Sequence, residues 1–297
     1  MMLDIRPIEN ITLTPQLSLK PEFRIHPTVS GNKFRKLKYN IQAVIDGHFE
    51  GILTFGGAFS NHIAATAAAG KDLNIPTVGI IRGEELVNNL DSNPTLSYAK
   101  ACGMHLEFIS RAAYRQKTED LFLQDLQKKH PNFYILPEGG TNALAIAGCK
   151  EILTEADHEF DVICCAVGTG GTISGLINSS LPHQKIIGFP ALKGAFIRED
   201  ICKFAQQSNW DLCHEYHFGG YAKVNLELIQ FINKFKQEFK LSLDPIYTGK
   251  MMYGIFDLIQ NGFFSKSAKI LAIHTGGLQG IEGMNHYLSK HNLELIA

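Results

Sequence analysis

The chain has 297 residues, 45% of them hydrophobic and 19% charged, which is a globular composition with room for one large domain or two smaller ones. Its formal net charge of -1 at pH 7 argues against nucleic acid or an anionic membrane surface as a partner, because both favour strongly basic chains. No apolar run approaches the roughly 18 residues of a membrane-spanning helix, and the N-terminus lacks the basic start and apolar core of a secretory signal.

The first informative segment is SGNKFRKLKY, residues 30–39, where a Gly-Asn pair leads into a mixed apolar and basic run. This pattern predicts a loop that enters a helix. A helix N-terminus disfavours cations, so a lysine there with Arg35, Lys36 and Lys38 behind it is unusual. The positive end of a helix and neighbouring cations both lower the pKa of an amine, which makes Lys33 a candidate reactive lysine. We expect Lys36 and Lys38 to be solvated helix charges.

Farther along the chain, short apolar runs repeatedly end in glycine-rich turns, and helical patterns follow several of them. The apolar runs with their turns are 51–62, 76–85, 133–142, 161–175, 185–194 and 269–277, and the helical stretches include 62–73, 123–130 and 226–239. Continuous apolar runs suit strands that are covered on both faces. Their alternation with helices predicts βαβ units and mainly parallel sheet.

The glycine-rich turns fall at the carboxyl ends of the predicted strands, where open α/β sheets bind their ligands. In GGAFSNH, residues 56–62, Ser60 or Asn61 is expected to cap the next helix, and a hydroxyl beside an amide also suits a ligand contact. The alternative interpretation is that these glycines only end strands and cap helices.

The turn in VGTGGTISGL, residues 167–176, predicts a phosphate site at a helix N-terminus. The residues of the turn are Gly168, Thr169, Gly170, Gly171 and Thr172. Ile173 stands where the dinucleotide fingerprint needs a third glycine, so a single phosphate fits better than a dinucleotide. A tight turn without a ligand remains an alternative. A lone phosphate together with a conspicuous lysine points to pyridoxal 5'-phosphate, whose aldehyde Lys33 would hold.

Six cysteines are scattered along the chain without a Cys-x-x-Cys pair. Cys164 and Cys165 lie in the apolar run VICCAV, where buried free thiols are expected. Such thiols are typical of a reducing compartment, so we expect a cytoplasmic protein. The tightest histidine pair, His214 and His217, has no nearby third ligand, and no metal site is predicted.

The motifs GNKFRKLKY, GGAFSNH, VGTGGTISGL, YTGK and HTGG, in that order, resemble those of the D-cysteine desulfhydrase and 1-aminocyclopropane-1-carboxylate deaminase family. The resemblance spans about residues 28–280. It implies a fold type II pyridoxal-phosphate enzyme, related to the tryptophan synthase β-subunit. Such an enzyme has two open, twisted, mainly parallel sheets with helices on both faces, and is commonly a homodimer. The expected domains are residues 1–36 with 142–297 (larger, cofactor-binding) and 37–141 (smaller), with the active site in the cleft between them.

The resemblance also implies roles for individual residues. Lys33 would hold the cofactor and move protons at the substrate Cα, and Asn61 would contact the pyridine 3'-oxygen. Ser60 would face the substrate carboxylate, and the turn Gly168–Thr172 would bind the phosphate. Tyr221 and Tyr247 are similar to the two active-site tyrosines of the family.

Two further positions bear on the substrate. Ring-opening deaminases of the family carry Glu and Leu where this chain has Thr248 and Thr275, whereas desulfhydrases carry small hydroxyl residues. A threonine at the pyridine nitrogen favours a weaker electron sink, which is adequate when a good leaving group departs from Cβ. We therefore expect a lyase that converts a small amino acid, D-cysteine first, to pyruvate, ammonia and sulfide. The alternatives are a 1-aminocyclopropane-1-carboxylate deaminase and, from another class, a Rossmann-like NAD or nucleotide-binding protein.

Overall fold

The computed structural model describes residues 5–194 and 196–297. Its strands are β1 (Ile11–Thr12), β2 (Leu17–Lys20), β3 (Gly51–Gly56), β4 (Thr77–Arg82), β5 (His105–Ile109), β6 (Phe133–Leu136), β7 (Val162–Val167), β8 (Lys185–Pro190), β9 (Trp210–Leu212) and β10 (Ile270–Ile273). Its helices are α1 (Asn32–Asp46), α2 (Asn61–Leu73), α3 (Pro94–Ala101), α4 (Arg111–Tyr114), α5 (Asp120–Lys129), α6 (Ala143–Lys150), α7 (Gly171–Ser179), α8 (Phe196–Cys202), α9 (Leu226–Phe239), α10 (Thr248–Gln260) and α11 (Gly280–Lys290).

The strands form two sheets. The larger has six strands in the order β1-β2-β10-β7-β8-β9, and all neighbours are parallel except β1 and β2. The smaller has four strands in the order β5-β4-β3-β6, all parallel. The prediction of two mainly parallel sheets with helices between the strands is therefore confirmed.

Strand β7 shows why the central strands read as unbroken apolar runs. Its side chains alternate between two hydrophobic clusters, with Cys164 in one and Cys165 in the other. Both cysteines are fully buried free thiols, as the sequence indicated. A strand covered on both faces has no polar side, because helices pack against each face of the sheet.

Helix α1 lies where the two sheets meet. Its buried residues Phe34, Leu37 and Ile41 pack into a cluster with Ile52 of β3 in the smaller sheet. Its other side packs closely on α6, which in turn packs on α7 of the larger sheet. Through this stack of three helices, the first turn of α1 comes close to the loop that follows β7.

The strands that the sequence did not predict are short or lie at the edges of the sheets, as in β1, β9 and β5. The predicted domain boundary between residues 36 and 37 falls inside α1, and the one at residue 142 falls at the N-cap of α6. Within the described ranges, no helix combines the length and the apolar character needed to cross a membrane.

Candidate active site

The amine of Lys33 lies in the first turn of α1, at the carboxyl ends of both sheets. Gly31 is the N-cap of α1, and both its φ of 64° and its contact with the turn after β10 exclude a side chain. A Cβ there would lie 2.0 Å from the Thr275 carbonyl oxygen. The backbone N–H of Asn32 donates to the same carbonyl at 3.1 Å. The start of α1 is therefore fixed against the HTGG turn, residues 274–277.

The pKa of Lys33 is lowered to about 7, first by burial of the amine and second by the charge of Lys36. Its Nζ donates to the Asn32 side-chain oxygen at 3.1 Å. The sequence argument also invoked Arg35 and Lys38, and that part is wrong. Both are paired with carboxylates, Arg35 with Glu22 at 2.9 Å and Lys38 with Glu151 at 2.7 Å, so their charges are compensated.

Lys36 is the main site residue that the sequence interpretation missed. It was expected to be a solvated helix charge, but its side chain is only 2% exposed. Its Nζ donates to the Gly139 carbonyl (2.9 Å), to Thr141 Oγ1 (3.0 Å) and to Thr169 Oγ1 (3.4 Å). The signal that could have found it is its position one helical turn after Lys33, which places both amines on the same face of α1.

The turn Gly168–Thr172 forms a cradle around the Lys36 ammonium. A Cβ on Gly171, the first residue of α7, would lie 3.1 Å from Lys36 Nζ. Thr169 Oγ1 is 2.6 Å from Thr141 Oγ1, and Thr172 Oγ1 accepts a hydrogen bond from Asn32 at 2.8 Å. The turn thus joins the helix N-terminus of α7 to residues that follow β6 of the other sheet.

The charge in this cradle fits an anion. Burial lowers the pKa of Lys36, and among the described residues no carboxylate is paired with it. The thiols closest to it, Cys149 and Cys165, stay protonated at neutral pH because burial raises the pKa of each, to about 11 and about 12. A buried ammonium beside a helix N-terminus is an uncompensated positive site, and a phosphate group would balance it.

Ser60 and Asn61 lie at the start of α2. Ser60 Oγ caps the helix by accepting from the Ile63 N–H at 3.3 Å. The side-chain oxygen of Asn61 accepts from Gln279 Nε2 at 2.9 Å. This contact orients the amide nitrogen of Asn61 toward the HTGG turn, where a Cβ on Gly277 would lie 2.6 Å from it. The Asn61 amide nitrogen is therefore a hydrogen-bond donor on the side of the site where α1 begins.

His62 follows them and is buried beneath the Gly139–Thr141 turn. The Thr54 hydroxyl donates its proton to the Leu136 carbonyl at 2.9 Å, so His62 Nε2 must donate to Thr54 Oγ1 at 2.7 Å. Nδ1 then carries a lone pair, for which the described part of the chain offers no partner. Burial, Lys33 and Lys36 hold the pKa of His62 well below its usual value, so the ring is neutral.

Tyr247 and Tyr221 meet beside the turn Gly168–Thr172. Their ring centroids are 6.2 Å apart in an edge-to-face arrangement, and each phenol is close enough to affect the pKa of the other. A Cβ on Gly168 would lie 3.2 Å from the Tyr247 ring. Burial raises the pKa of both phenols, so each keeps its proton at neutral pH and can act as a donor.

Asp244 supports this pair and was not predicted from the sequence. Its carboxylate accepts from the N–H groups of Ile246 (3.0 Å), Tyr247 (2.8 Å) and Thr248 (2.8 Å) and from the Thr248 hydroxyl (2.5 Å). It thereby fixes the start of α10. The Thr248 hydroxyl donates its only proton to Asp244, whereas the Thr275 hydroxyl has no hydrogen-bond partner among the described residues.

The site residues lie in a part of the chain that matches a known protein family. Residues 5–276 match the family model described as pyridoxal-phosphate dependent enzyme. A protein of Pyrococcus horikoshii, provisionally named 1-aminocyclopropane-1-carboxylate deaminase, is 30% identical over 280 residues, which are 88% of this chain and 83% of that protein.

The bifunctional D-cysteine desulfhydrase/1-aminocyclopropane-1-carboxylate deaminase of Arabidopsis thaliana is 29% identical over 280 residues, 85% of this chain and 70% of that protein, and is mitochondrial. Among solved structures, the crystal structure of an ACC deaminase homologue superposes with a TM-score of 0.82 at 25% identity, covering 97% of this chain and 94% of the other.

Proposed function

Because this chain belongs to the pyridoxal-phosphate dependent enzyme family, we propose that it is a lyase that eliminates the β-substituent of a small amino acid, with D-cysteine as the substrate. The reaction would take D-cysteine and water to pyruvate, ammonia and hydrogen sulfide. The observation that carries the proposal is the pair of amines on α1: Lys33, with its pKa lowered to about 7, and Lys36, one turn later in the phosphate cradle.

The cradle residues would hold the cofactor phosphate. Lys36 supplies the countercharge, and the first N–H groups of α7 supply donors. The amide nitrogen of Asn61 would donate to the ring oxygen. Of the two threonines considered for the ring nitrogen, Thr275 has a hydroxyl without a hydrogen-bond partner among the described residues, whereas the Thr248 hydroxyl donates to Asp244. The bound cofactor supplies an electron sink for negative charge that develops at the substrate Cα.

The protein's own groups would then handle the protons. The Lys33 amine, partly neutral at pH 7, removes the proton from Cα. The Tyr221–Tyr247 pair, protonated because both hydroxyls are buried, donates a proton to the departing sulfur. Ser60 faces the substrate carboxylate from the start of α2.

The test is product formation by purified protein with D-cysteine. We expect pyruvate and sulfide in equal amounts, and we expect Lys33→Ala to abolish both products and the visible absorbance of the bound cofactor. Lys38→Ala is the matched control, because Lys38 lies on the same helix but is paired with Glu151. Full activity in Lys33→Ala would contradict the proposal.

1-Aminocyclopropane-1-carboxylate deaminase is the second candidate, because both relatives described above carry that name. It predicts 2-oxobutyrate from the cyclopropane substrate instead of pyruvate from D-cysteine. Thr248 and Thr275, rather than Glu and Leu, support β-elimination over ring opening. The nucleotide-binding alternative receives no support, since the matched family uses pyridoxal phosphate.

We also propose a two-lobed, homodimeric, cytoplasmic enzyme. The lobes are residues 1–36 with 142–297 and residues 37–141, each built on one sheet, with the site in the cleft between them. The six free cysteines support a reducing compartment, and the family resemblance supports the dimer. Light scattering on a sizing column tests the dimer, and a monomer at micromolar concentration would contradict it.

A further inference from the structure

The segment Tyr216–Tyr221, between β9 and α9, lies along one face of α10. Tyr216 donates its hydroxyl proton to Asp257 at 2.6 Å, and Phe218 packs edge-on against Tyr253 at 5.0 Å. At its end, Tyr221 meets Tyr247 at the start of the helix. We call Tyr216–Tyr221 the tyrosine segment.

Lys250 lies on the same face of α10, between the Tyr247 and Tyr253 contacts. Its side chain is 2% exposed, and its Nζ donates to the carbonyls of His217 (2.9 Å) and Gly220 (2.8 Å). These carbonyls are the two ends of the turn that precedes Tyr221. One buried ammonium therefore holds both ends of that turn against the helix.

The turn needs such a contact because its backbone is strained. Phe218, Gly219 and Gly220 have φ values of 51°, 93° and 115°, and Ala222 follows with 55°. Non-glycine residues rarely adopt this region, and they keep it only when surrounding contacts fix them there. Gly219, in the middle of the turn, is exposed and therefore receives little support from packing.

Lys250 is more than a packing residue. Among the described residues it has no ion pair, and burial lowers its pKa to about 8, with Asp244 acting weakly in the opposite direction. A buried ammonium whose acceptors are two carbonyls is poorly compensated, so an apolar side chain of the same length would fill the space at lower cost. What the ammonium adds is the pair of hydrogen bonds to the turn.

We propose that Lys250 is a positioning residue that places the Tyr221 hydroxyl against that of Tyr247. The inference rests on the proposed role of these tyrosines as proton donors to the leaving group. Both hydroxyls are then located by α10, Tyr247 directly and Tyr221 through Lys250. Without Lys250 the turn relaxes, and the Tyr221 hydroxyl moves away from the departing atom.

The test compares Lys250→Met, which keeps the length but removes the donors, with Lys250→Arg, which keeps donors. On holoenzyme with D-cysteine, we expect Lys250→Met to lower kcat by about tenfold with a smaller change in KM, as for loss of a general acid. Lys250→Arg should recover most of that loss, and cofactor absorbance should be the same in all three proteins. Lys234→Met, an exposed position on α9, is the control and should match the wild type.

A double-mutant cycle decides whether Lys250 acts through Tyr221. In the Tyr221→Phe background we expect Lys250→Met to have no further effect on kcat, because the hydroxyl that it positions is gone. The same tenfold loss in both backgrounds would overturn the inference, and so would the absence of any loss in the wild-type background.

A readout that does not need activity separates this inference from the proposed function. In protein labelled with 3-fluorotyrosine, the resonance lost in Tyr221→Phe identifies Tyr221. We expect it to shift or broaden in Lys250→Met and to return in Lys250→Arg. If the protein processes no amino acid but this pattern appears, the proposed function fails and the positioning inference stands. An unchanged Tyr221 resonance in Lys250→Met would overturn the inference, whatever the activity.

Discussion

The lowered pKa of Lys33 comes mainly from the burial of its amine rather than from the number of cations near it in sequence. Of the three basic residues that follow, only Lys36 lowers its pKa, because Arg35 and Lys38 are neutralised by Glu22 and Glu151. A charge has a long reach in a buried site only when no counterion accompanies it.

It follows that Lys36→Met should raise the pKa of Lys33. The measurement is the pH midpoint for acetylation of Lys33 by acetic anhydride in the cofactor-free protein, followed by mass spectrometry, and we expect it at about 7 in the wild type. We expect it to rise by about one pH unit in Lys36→Met, because a like charge has been removed. The lysine is reactive above its midpoint, so the variant should acetylate more slowly at pH 7.

Lys38→Met is the control for this measurement. It removes a cation from the same helix, but one already paired with Glu151 at 2.7 Å. Its midpoint should match the wild type. Equal rises in the two variants would mean that the bulk charge of α1, rather than Lys36, controls Lys33.

At this scale the sequence indicated a lowered pKa at Lys33, but it did not predict the burial of Lys36 beside it. Lys36 looks like an ordinary exposed helix cation because its acceptors lie far along the chain, at Gly139, Thr141 and Thr169. Nothing local to α1 indicates that a loop from each sheet will close over the ammonium. Asp244 was not predicted for a different reason. Its hydrogen bonds are local, but aspartate is common before helices, so the sequence did not single it out.

At the scale of elements, the site is positioned by helices that touch at glycines, where no side chain separates one backbone from the next. A Cβ on Gly148 of α6 would lie 1.9 Å from the Arg35 carbonyl of α1, and one on Gly175 of α7 would lie 2.4 Å from Cys149 Cβ. Helix α6 is thus in direct backbone contact with α1, which brings the Lys36 ammonium to the start of α7.

Gly148→Ala should therefore damage stability and cofactor binding together. The methyl group has no space, so α1 must move away from α6, which we expect to lower the free energy of unfolding by about 2 kcal/mol and to weaken cofactor binding. Urea unfolding and titration with pyridoxal phosphate measure the two effects.

The matched control is Gly280→Ala at the start of α11. Its methyl group would meet nothing closer than 3.9 Å, and alanine favours a helix over glycine. We expect unchanged or slightly higher stability. A similar loss in both variants would show that the position of Gly148 between the helices is unimportant.

The start of α10 offers a second test at this scale. Asp244→Ala leaves three backbone N–H groups and the Thr248 hydroxyl without their acceptor, so we expect a loss of about 2–3 kcal/mol in unfolding free energy. Asp125→Ala, which removes an exposed pair with Lys128, should cost less than about 1 kcal/mol. Equal losses would mean that Asp244 does not fix the helix start.

The elements themselves divide into those the sequence predicts well and those it does not. Strands such as β7 are recognisable because both faces are buried and every residue is apolar. Strand β2 is different, since LSLK ends in Lys20, a cation that only its buried pairing with Asp157 at 2.5 Å makes compatible with a central position. Distant partners of this kind cannot be read from a four-residue segment.

For the whole molecule, the phosphate cradle joins the two sheets. Thr141 and Gly139 follow β6 of the smaller sheet, Thr169 and Gly171 follow β7 of the larger, and Lys36 contacts both. An anion bound there would interact with both halves of the protein at once. Binding of such an anion should therefore raise the melting temperature of the whole protein.

We therefore expect pyridoxal phosphate to raise the melting temperature far more than pyridoxal, which lacks the phosphate. At about 100 times its dissociation constant, a ligand that binds only the folded state adds about 2.7 kcal/mol. The gain should be largely lost in Lys36→Met. Calorimetry of cofactor-free protein measures it, and equal stabilisation by pyridoxal would contradict a role for the cradle.

If Lys33 and Lys36 hold the two ends of the cofactor as proposed, no loop lies between them that could adjust the distance from one amine to the other. Three residues of α-helix rise about 4.5 Å, and that interval cannot be lengthened by any loop movement. Inserting one residue between positions 33 and 36 would rotate one amine about 100° away from the other. Under the proposed roles, a change in α1 that repositions one of these amines therefore also repositions the other.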